Sequence, residues 1–220
     1  MERFLLTHSM QDLADLIRWI GILPFFPNEI PGYSAEEAVD PGIMWNGDGP
    51  WEWKGPMVRR GMCLYGKLIH GKAAFVSPEL FPDLANYRRD GYDFEGRCAD
   101  GLVPYRDQQL MKYVERHAPC LSRDARRGCG IDKGYDTCLT RLEMQTFITD
   151  HDFVYLTDKH GKPYGWGNAQ LTTPEKMYGE EWINSADSRS PEESLQRLTE
   201  HLRACMPDVS TERIEGILKY

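Results

Sequence analysis

From Ser9 onward, polar and apolar positions alternate with helical period, and Leu13, Leu16, Ile17 and Ile20 fall on one face. Ser9 is placed to cap the first turn, with Asp12 reaching back, and Gly21 to stop the last. The ILPFFPNEIPGY run that follows holds too much proline for a regular element. It is expected to lie across the core as an apolar strap, with Trp19, Phe25 and Phe26 inside. Gly47-Asp-Gly-Pro50 marks a loop. Two strands are then predicted, from Met57 to Leu64 and from Gly66 to Phe75 around a His70-Gly-Lys72 turn. Ser77-Pro78 opens a short helix. It would carry Leu80, Phe81 and Leu84 inward and leave Tyr87, Arg88 and Arg89 at its end, where cations suit the helix dipole. Residues 91–104 read as a loop.

A helix is predicted from Tyr105 to His117, with Leu110, Tyr113 and Val114 on one face. Leu121-Ser122 starts a short helix through Arg127, which Gly128-Cys-Gly130 ends. After a turn at Lys133-Gly134, Asp136 caps a third helix that buries Cys138, Leu139 and Leu142. Two strands follow, near Thr146–Thr157 and Tyr164–Leu171, joined at Lys159-His-Gly-Lys-Pro163. Helix, short helix, turn, helix and hairpin is the order of a winged helix, in which the third helix can enter a major groove and the hairpin can touch the backbone. Thr137, Thr140, Arg141 and Met144 would then face away from the core, and Lys159, His160 and Lys162 would stand at the loop. At the C-terminal end, Ser190-Pro-Glu-Glu193 is a capping box ahead of a Leu195, Leu198, Leu202 stripe. Val209 and Ile214 can staple a last helix that Ser210 caps.

Composition narrows the classes. Hydrophobic content of 41% and charged content of 27% are ordinary globular values. No apolar run suggests a membrane span, and the first residues turn polar too soon for a signal peptide, so a cytoplasmic protein is expected. Its six cysteines are then expected as thiols. Cys120, Cys129 and Cys138 recur every nine residues, which is no standard metal spacing, and no metal or cofactor is expected. A net charge of −8 disfavours nonspecific binding to polyanions. The charge is uneven, however. Residues 1–53 hold nine acids and two bases, while Lys54–Arg89 hold seven bases and two acids. A nucleic-acid site would be a local basic patch between acidic ends.

The stretch from Trp45 to Asp93 combines that charge with aromatic groups, since Trp45, Trp51 and Trp53 fall within nine residues. Such interleaving can stack on bases while neutralising phosphates. The candidate DNA-binding residues are Trp51, Trp53, Lys54, Arg59, Arg60, Lys67, Arg88 and Arg89 here. Arg126, Arg127, Lys133, Thr137, Thr140, Arg141, Lys159 and Lys162 join them from the winged-helix region. A carboxylate can position water and stabilise a developing oxocarbenium ion, and Glu52 between two tryptophans is the candidate for that role. The bland alternative puts both tryptophans in the core and Glu52 outward. No Ser-His-Asp spacing, phosphate-binding glycine loop or zincin motif is present.

From Trp45 to Gly179 the chain resembles the AlkZ-related proteins, small relatives of the AlkZ/YcaQ winged-helix DNA glycosylases. GPWEWKGP (49–56), YGK (65–67), FPDLANYRRDGYDF (81–94), GYDTCLTRLEMQTF (134–147) and GKPYGWG (161–167) carry the resemblance. It implies a DNA-binding winged-helix fold and, for the larger relatives, removal of alkylated or crosslinked bases. Those enzymes share a Gln-x-Gln or Gln-x-Asp motif that positions the hydrolytic water. The chain departs there. Gln11-Asp12 and Gln108-Gln109 lack the spacer, Gln145-Thr-Phe147 has no second polar partner, and Gln170-Leu-Thr172 has the wrong context. No catalytic residue carries over.

The expected fold is α+β, a winged helix-turn-helix with a preceding small β-rich segment and flanking helices. The expected division is an N-terminal helix and strap (1–41), a Trp-rich β segment (42–103), a winged-helix domain (104–178) and a helical C-terminal segment (179–220). The expected partner is DNA, with damaged duplex as one form of it, and no membrane. The expected function is DNA binding without the glycosylase motif. Active glycosylase and protein-interaction module are the rival classes. Oligomeric state leaves no signal in the sequence.

Overall fold

Ser9 takes extended backbone and accepts the Asp12 N–H at 3.2 Å, and helix α1 runs Met10–Ile20 from that cap. Asp12 returns a bond to the His8 N–H at 3.0 Å. Gly21 ends the helix at φ 84°, with its N–H on Ile17 O, a conformation that suits glycine. Leu13, Ala14, Ile17 and Ile20 are fully buried. Trp19, expected inside, is half exposed. It follows buried Ile17 by two positions, which at helical pitch turns it to the far side of α1.

The computed structural model describes residues 4–44, 48–161 and 163–219. The fold is α+β, with helices around two three-stranded antiparallel sheets. Strand β1 (Ile22–Pro24) gives the proline-rich strap a regular start at a sheet edge. Proline is tolerated there because an edge residue need not donate to the ladder. Helices α2 (Ala35–Ala38) and α3 (Pro41–Met44) follow.

Helix α4 (Pro50–Arg59) occupies part of the region where a strand from Met57 was expected. Pro50 sits at the first turn, where no N–H is needed. Trp53, Met57 and Val58 share its buried side. Burial of that face outweighs Gly55 and Pro56, which read locally as breakers. The turn expected at His70 forms, and it divides the run expected from Gly66 to Phe75 into strands β2 (Leu64–Ile69) and β3 (Lys72–Val76), which pair as a hairpin. His70 and Gly71 both have positive φ, 49° and 71°, as a two-residue hairpin turn demands. The sheet order is β1-β3-β2.

Helix α5 (Phe81–Arg89) begins four residues after Ser77, because Leu80 and Phe81 first close a turn on the Ser77 carbonyl. It buries Phe81 and Leu84, and also Asp83, Asn86, Arg88 and Arg89. The segment expected as a loop holds helix α6 (Phe94–Ala99), capped by Asp93, whose Oδ1 accepts the Gly96 N–H at 2.6 Å. Residues 42–103, expected to be β-rich, are therefore more helix than strand.

The next elements are α7 (Tyr105–His117), β4 (Cys120–Leu121), α8 (Ser122–Gly128), α9 (Tyr135–Met144), β5 (Thr149–Thr157) and β6 (Pro163–Thr172). Their sheet order is β4-β6-β5. Asp136 does not cap α9, which starts at Tyr135 after Gly134. Helices α10 (Pro174–Tyr178), α11 (Glu180–Ile183), α12 (Pro191–Cys205) and α13 (Thr211–Leu218) close the chain. The capping box at Ser190 and Glu193 forms as the sequence predicts.

Two hydrophobic cores result among the described residues. One joins residues 13–85 with residues 183–218. The other takes Leu110 to Ile148 and Leu171. All six cysteines are free thiols. No helix among the described residues is long and apolar enough to cross a membrane.

Candidate functional site

The tryptophan-rich helix turns its aromatic groups into the protein. Trp53 is buried and donates Nε1–H to Asp48 Oδ1 at 2.7 Å. Trp51 packs on Phe25, with ring centroids 4.6 Å apart. Lys54 is buried between rings, its Nζ 4.7 Å from the Trp51 centroid and 4.4 Å from that of Phe153. Desolvation lowers the Lys54 amine to about 8, opposed by the charges of Glu52 and Asp150. Glu52 is exposed, and its Oε2 accepts the Gly49 N–H at 3.1 Å. It is a helix cap, and no stacking wall stands around it because the tryptophans face inward.

Arg88 and Arg89 are spent inside. Fully buried Arg88 donates to the carbonyls of Leu68, Met144 (3.0 Å) and Leu218 (3.2 Å). Arg89 donates to Thr146 Oγ1 at 3.2 Å, Thr146 O at 2.6 Å and Glu175 Oε1 at 2.7 Å. A continuous basic face through Arg59, Arg88 and Arg126 is therefore not present. Exposed Arg59 pairs with Asp152, and Arg60 is exposed beside it.

On α9, Thr137 is exposed, while Thr140 and Met144 are half buried against the β2–β3 turn. Lys67 Nζ reaches Thr140 Oγ1 at 3.3 Å. Arg141 binds Asp107 of α7. Exposed Arg126 pairs with Asp136 and lies over Tyr135, 4.6 Å from its ring centroid. Arg127 and Lys133 are exposed, and Lys159 is exposed at the hairpin tip. Trp45 and Lys162 lie outside the described residues.

What the fold brings together is a cleft of about 390 Å³ between β2, α8, α9 and the β5–β6 hairpin. Arg123, Arg126 and Asn168 line it, with Leu139, Phe153 and Ala169 as apolar wall. Lys67 also borders it. Glu143 and Asp150 line it from within, at 2% and 5% exposure. Glu143 accepts the Lys67 backbone N–H from the free edge of β2. Glu143 Oε2 and Asp150 Oδ1 have no hydrogen-bond partner among the described residues. A buried polar atom left unpaired is costly, so two in one cleft call for a ligand or water to satisfy them.

Burial raises both carboxyls. Desolvation pushes Glu143 up to about 7 against the pull of Lys67. Asp150 is raised well above the usual carboxylate range by desolvation and by the charge of Glu143. Both carboxyls therefore keep their protons to higher pH than exposed carboxylates do. Arg89 fixes the turn between them, since Thr146 is held at φ 65° by its bonds to that guanidinium. Thr149 Oγ1 donates to Tyr65 O at 2.9 Å and ties β5 to β2.

The sequence singles out neither carboxylate. Glu143 leaves one signal: it lies four residues after Leu139, on the inward face of its helix. Asp150 leaves none, because its burial depends on β2 lying against β5. Among the described residues no group of three His, Cys, Asp or Glu side chains could hold a metal ion.

The fold and cleft define an α+β protein in which a helix-rich body carries a three-helix unit with its own hairpin. The chain belongs to the AlkZ-related family, whose model matches residues 7–219. Neither the curated proteins nor the solved structures yield a match.

Proposed function

We propose that this protein binds DNA through residues 105–172, arranged as a winged helix-turn-helix. The observation that carries this is the order α7–β4–α8–α9–β5–β6 with sheet order β4-β6-β5. In that arrangement α9 is the helix for a major groove and the β5–β6 hairpin the wing beside it. Exposed Arg123, Arg126 and Arg127 on α8, Lys133 before α9 and Lys159 on the hairpin supply phosphate contacts. Thr137 is placed to reach a base edge. Membership of the AlkZ-related family supports the same reading, because it relates the chain to alkylation-repair glycosylases. The acidic ends of the chain confine the interaction to this unit.

Titration of a labelled duplex across salt concentrations tests the proposal. Affinity falls steeply as salt rises. Replacing Arg126 and Arg127 together by alanine reduces the salt slope by about one for each phosphate those side chains neutralise. Both side chains are exposed, so the variant stays folded. No binding at low salt, or binding indifferent to salt, overturns the reading.

A further inference from the structure

We propose that the groove between residues 4–8 and helix α1 docks a cationic amphipathic segment of another protein, with Trp19 as its anchor. The groove stands apart from the DNA-binding reading, because its lining comes from residues 4–19 and none of it from 105–172.

Trp19 is held in place and yet exposed. Helical pitch turns its ring outward, where it keeps half its surface open. Its backbone is fixed from behind by α12, since His201 Nε2 donates to the Trp19 carbonyl at 3.0 Å and the Cys205 thiol does so at 3.4 Å. Phe4 meets the indole edge-on, with ring centroids 5.8 Å apart. An aromatic group ordered in advance loses little entropy when a partner covers it. The facing wall is fixed as well. The Thr7 N–H donates to Ala38 O at 2.8 Å, its hydroxyl reaches the same carbonyl at 3.1 Å, and Thr7 O accepts the Asp40 N–H at 3.1 Å.

Between these walls runs a groove of about 760 Å³. Phe4, Leu5, Leu6, Leu16 and Trp19 give it an apolar floor, and Leu5 is 93% exposed. Single exposed leucines are ordinary on a surface, whereas several gathered around a tryptophan mark a place of contact. Charge selects the occupant. Asp12 and Asp15 line the groove, and among the described residues no lysine or arginine does. The chain around it is acidic too, with nine acids and two bases in residues 1–53. A segment with an apolar face and lysine or arginine beside it complements both features. A second copy of this chain fits less well, because symmetric pairing through this face would set Asp12 and Asp15 against their own counterparts. An anionic lipid surface would be repelled by the same two carboxylates.

The test uses the full chain and two fluorescein-labelled synthetic peptides of about 18 residues, long enough to form a helix. One sets lysine beside a leucine face. The other keeps the leucines and replaces each lysine by glutamate. Fluorescence anisotropy shows wild-type protein binding the lysine peptide and not its counterpart. Trp19→Ala weakens that binding roughly tenfold or more. Leu5→Ser is the second variant, for its side chain is too exposed to support the fold, and binding falls severalfold. Asp15→Asn weakens binding and flattens its salt dependence. Glu212→Gln removes the same charge outside the groove and changes neither. Equal binding of the two peptides, no binding at all, or wild-type affinity in both Trp19→Ala and Leu5→Ser overturns the inference. Sedimentation that finds the wild type dimeric and Trp19→Ala monomeric assigns the groove to a second copy and overturns it as well.

Discussion

Arg141 on α9 grips Asp107 on α7 with two hydrogen bonds, Nε to Oδ2 at 2.5 Å and Nη2 to Oδ1 at 2.7 Å. The aspartate side chain is 1% exposed and the arginine 38%. The pair fixes the angle between the helix proposed for the groove and the helix that supports it. Arg141→Ala leaves the buried Asp107 carboxylate without its cation, with only the Cys138 thiol beside it among the described residues, and should cost about 2–4 kcal/mol, less than a fully buried pair because the arginine reaches solvent. Urea unfolding measures it. A loss below about 0.5 kcal/mol would show that water replaces the arginine at no cost.

Arg88 separates stability from binding. Its guanidinium ties the end of β2, the end of α9 and the end of α13 through the carbonyls of Leu68, Met144 and Leu218. Arg88→Met should lower stability by about 3 kcal/mol or more, because three carbonyls lose a charged donor. The salt slope of DNA binding, measured at a temperature where the variant is folded, stays as in wild type. A slope reduced by one would place Arg88 on phosphate.

Glu52→Ala removes a helix cap. The expected loss is about 1 kcal/mol, seen as a fall in melting temperature of a few degrees. Duplex affinity is unchanged. A loss of affinity without a loss of stability would return Glu52 to the binding surface.

Stability depends on pH through Glu143. Its folded pKa, about 7, lies above the ordinary 4.5, so the folded state holds a proton that the unfolded chain has released. That contribution is complete below pH 4.5 and is lost as pH rises through 7. Asp150 is raised as well and adds in the same direction. Denaturation midpoints should therefore fall between pH 5 and pH 8, by roughly a few kcal/mol in unfolding free energy. Glu143→Gln flattens the profile. A midpoint that rises over this interval in wild type would refute the assignment.

Local signals were legible wherever the stabilising partner is near in sequence. Ser9, Gly21, Ser190 and Glu193 bound their helices as their residue types imply, because caps act within one turn. The three helices and hairpin after Tyr105 were also recoverable, since their stripes are regular and their turns carry glycine. Helix α4 was not. Its glycine and proline speak against a helix, and only the distant surface that covers Trp53 and Met57 overrides them. Arg88 and Arg89 read as exposed cations at a helix end for the same reason: the carbonyls they serve come from residues 68, 144, 146 and 218. The cleft was hidden most completely. Its polar floor uses one residue from a helix and one from a strand, and their shared burial is a property of β2 packing against both.

The split core sets a timetable for synthesis. Leu13, Phe75 and Phe81 leave the ribosome early, yet their covering residues Leu198, Leu202 and Ile214 come last. The unit from 105 to 172 draws its core from its own contiguous elements and can close first. Until α12 arrives, the nascent chain carries a finished three-helix and hairpin unit beside an uncovered apolar face. A stop codon before Ser190 would therefore yield a product that aggregates through its first half rather than a smaller working protein.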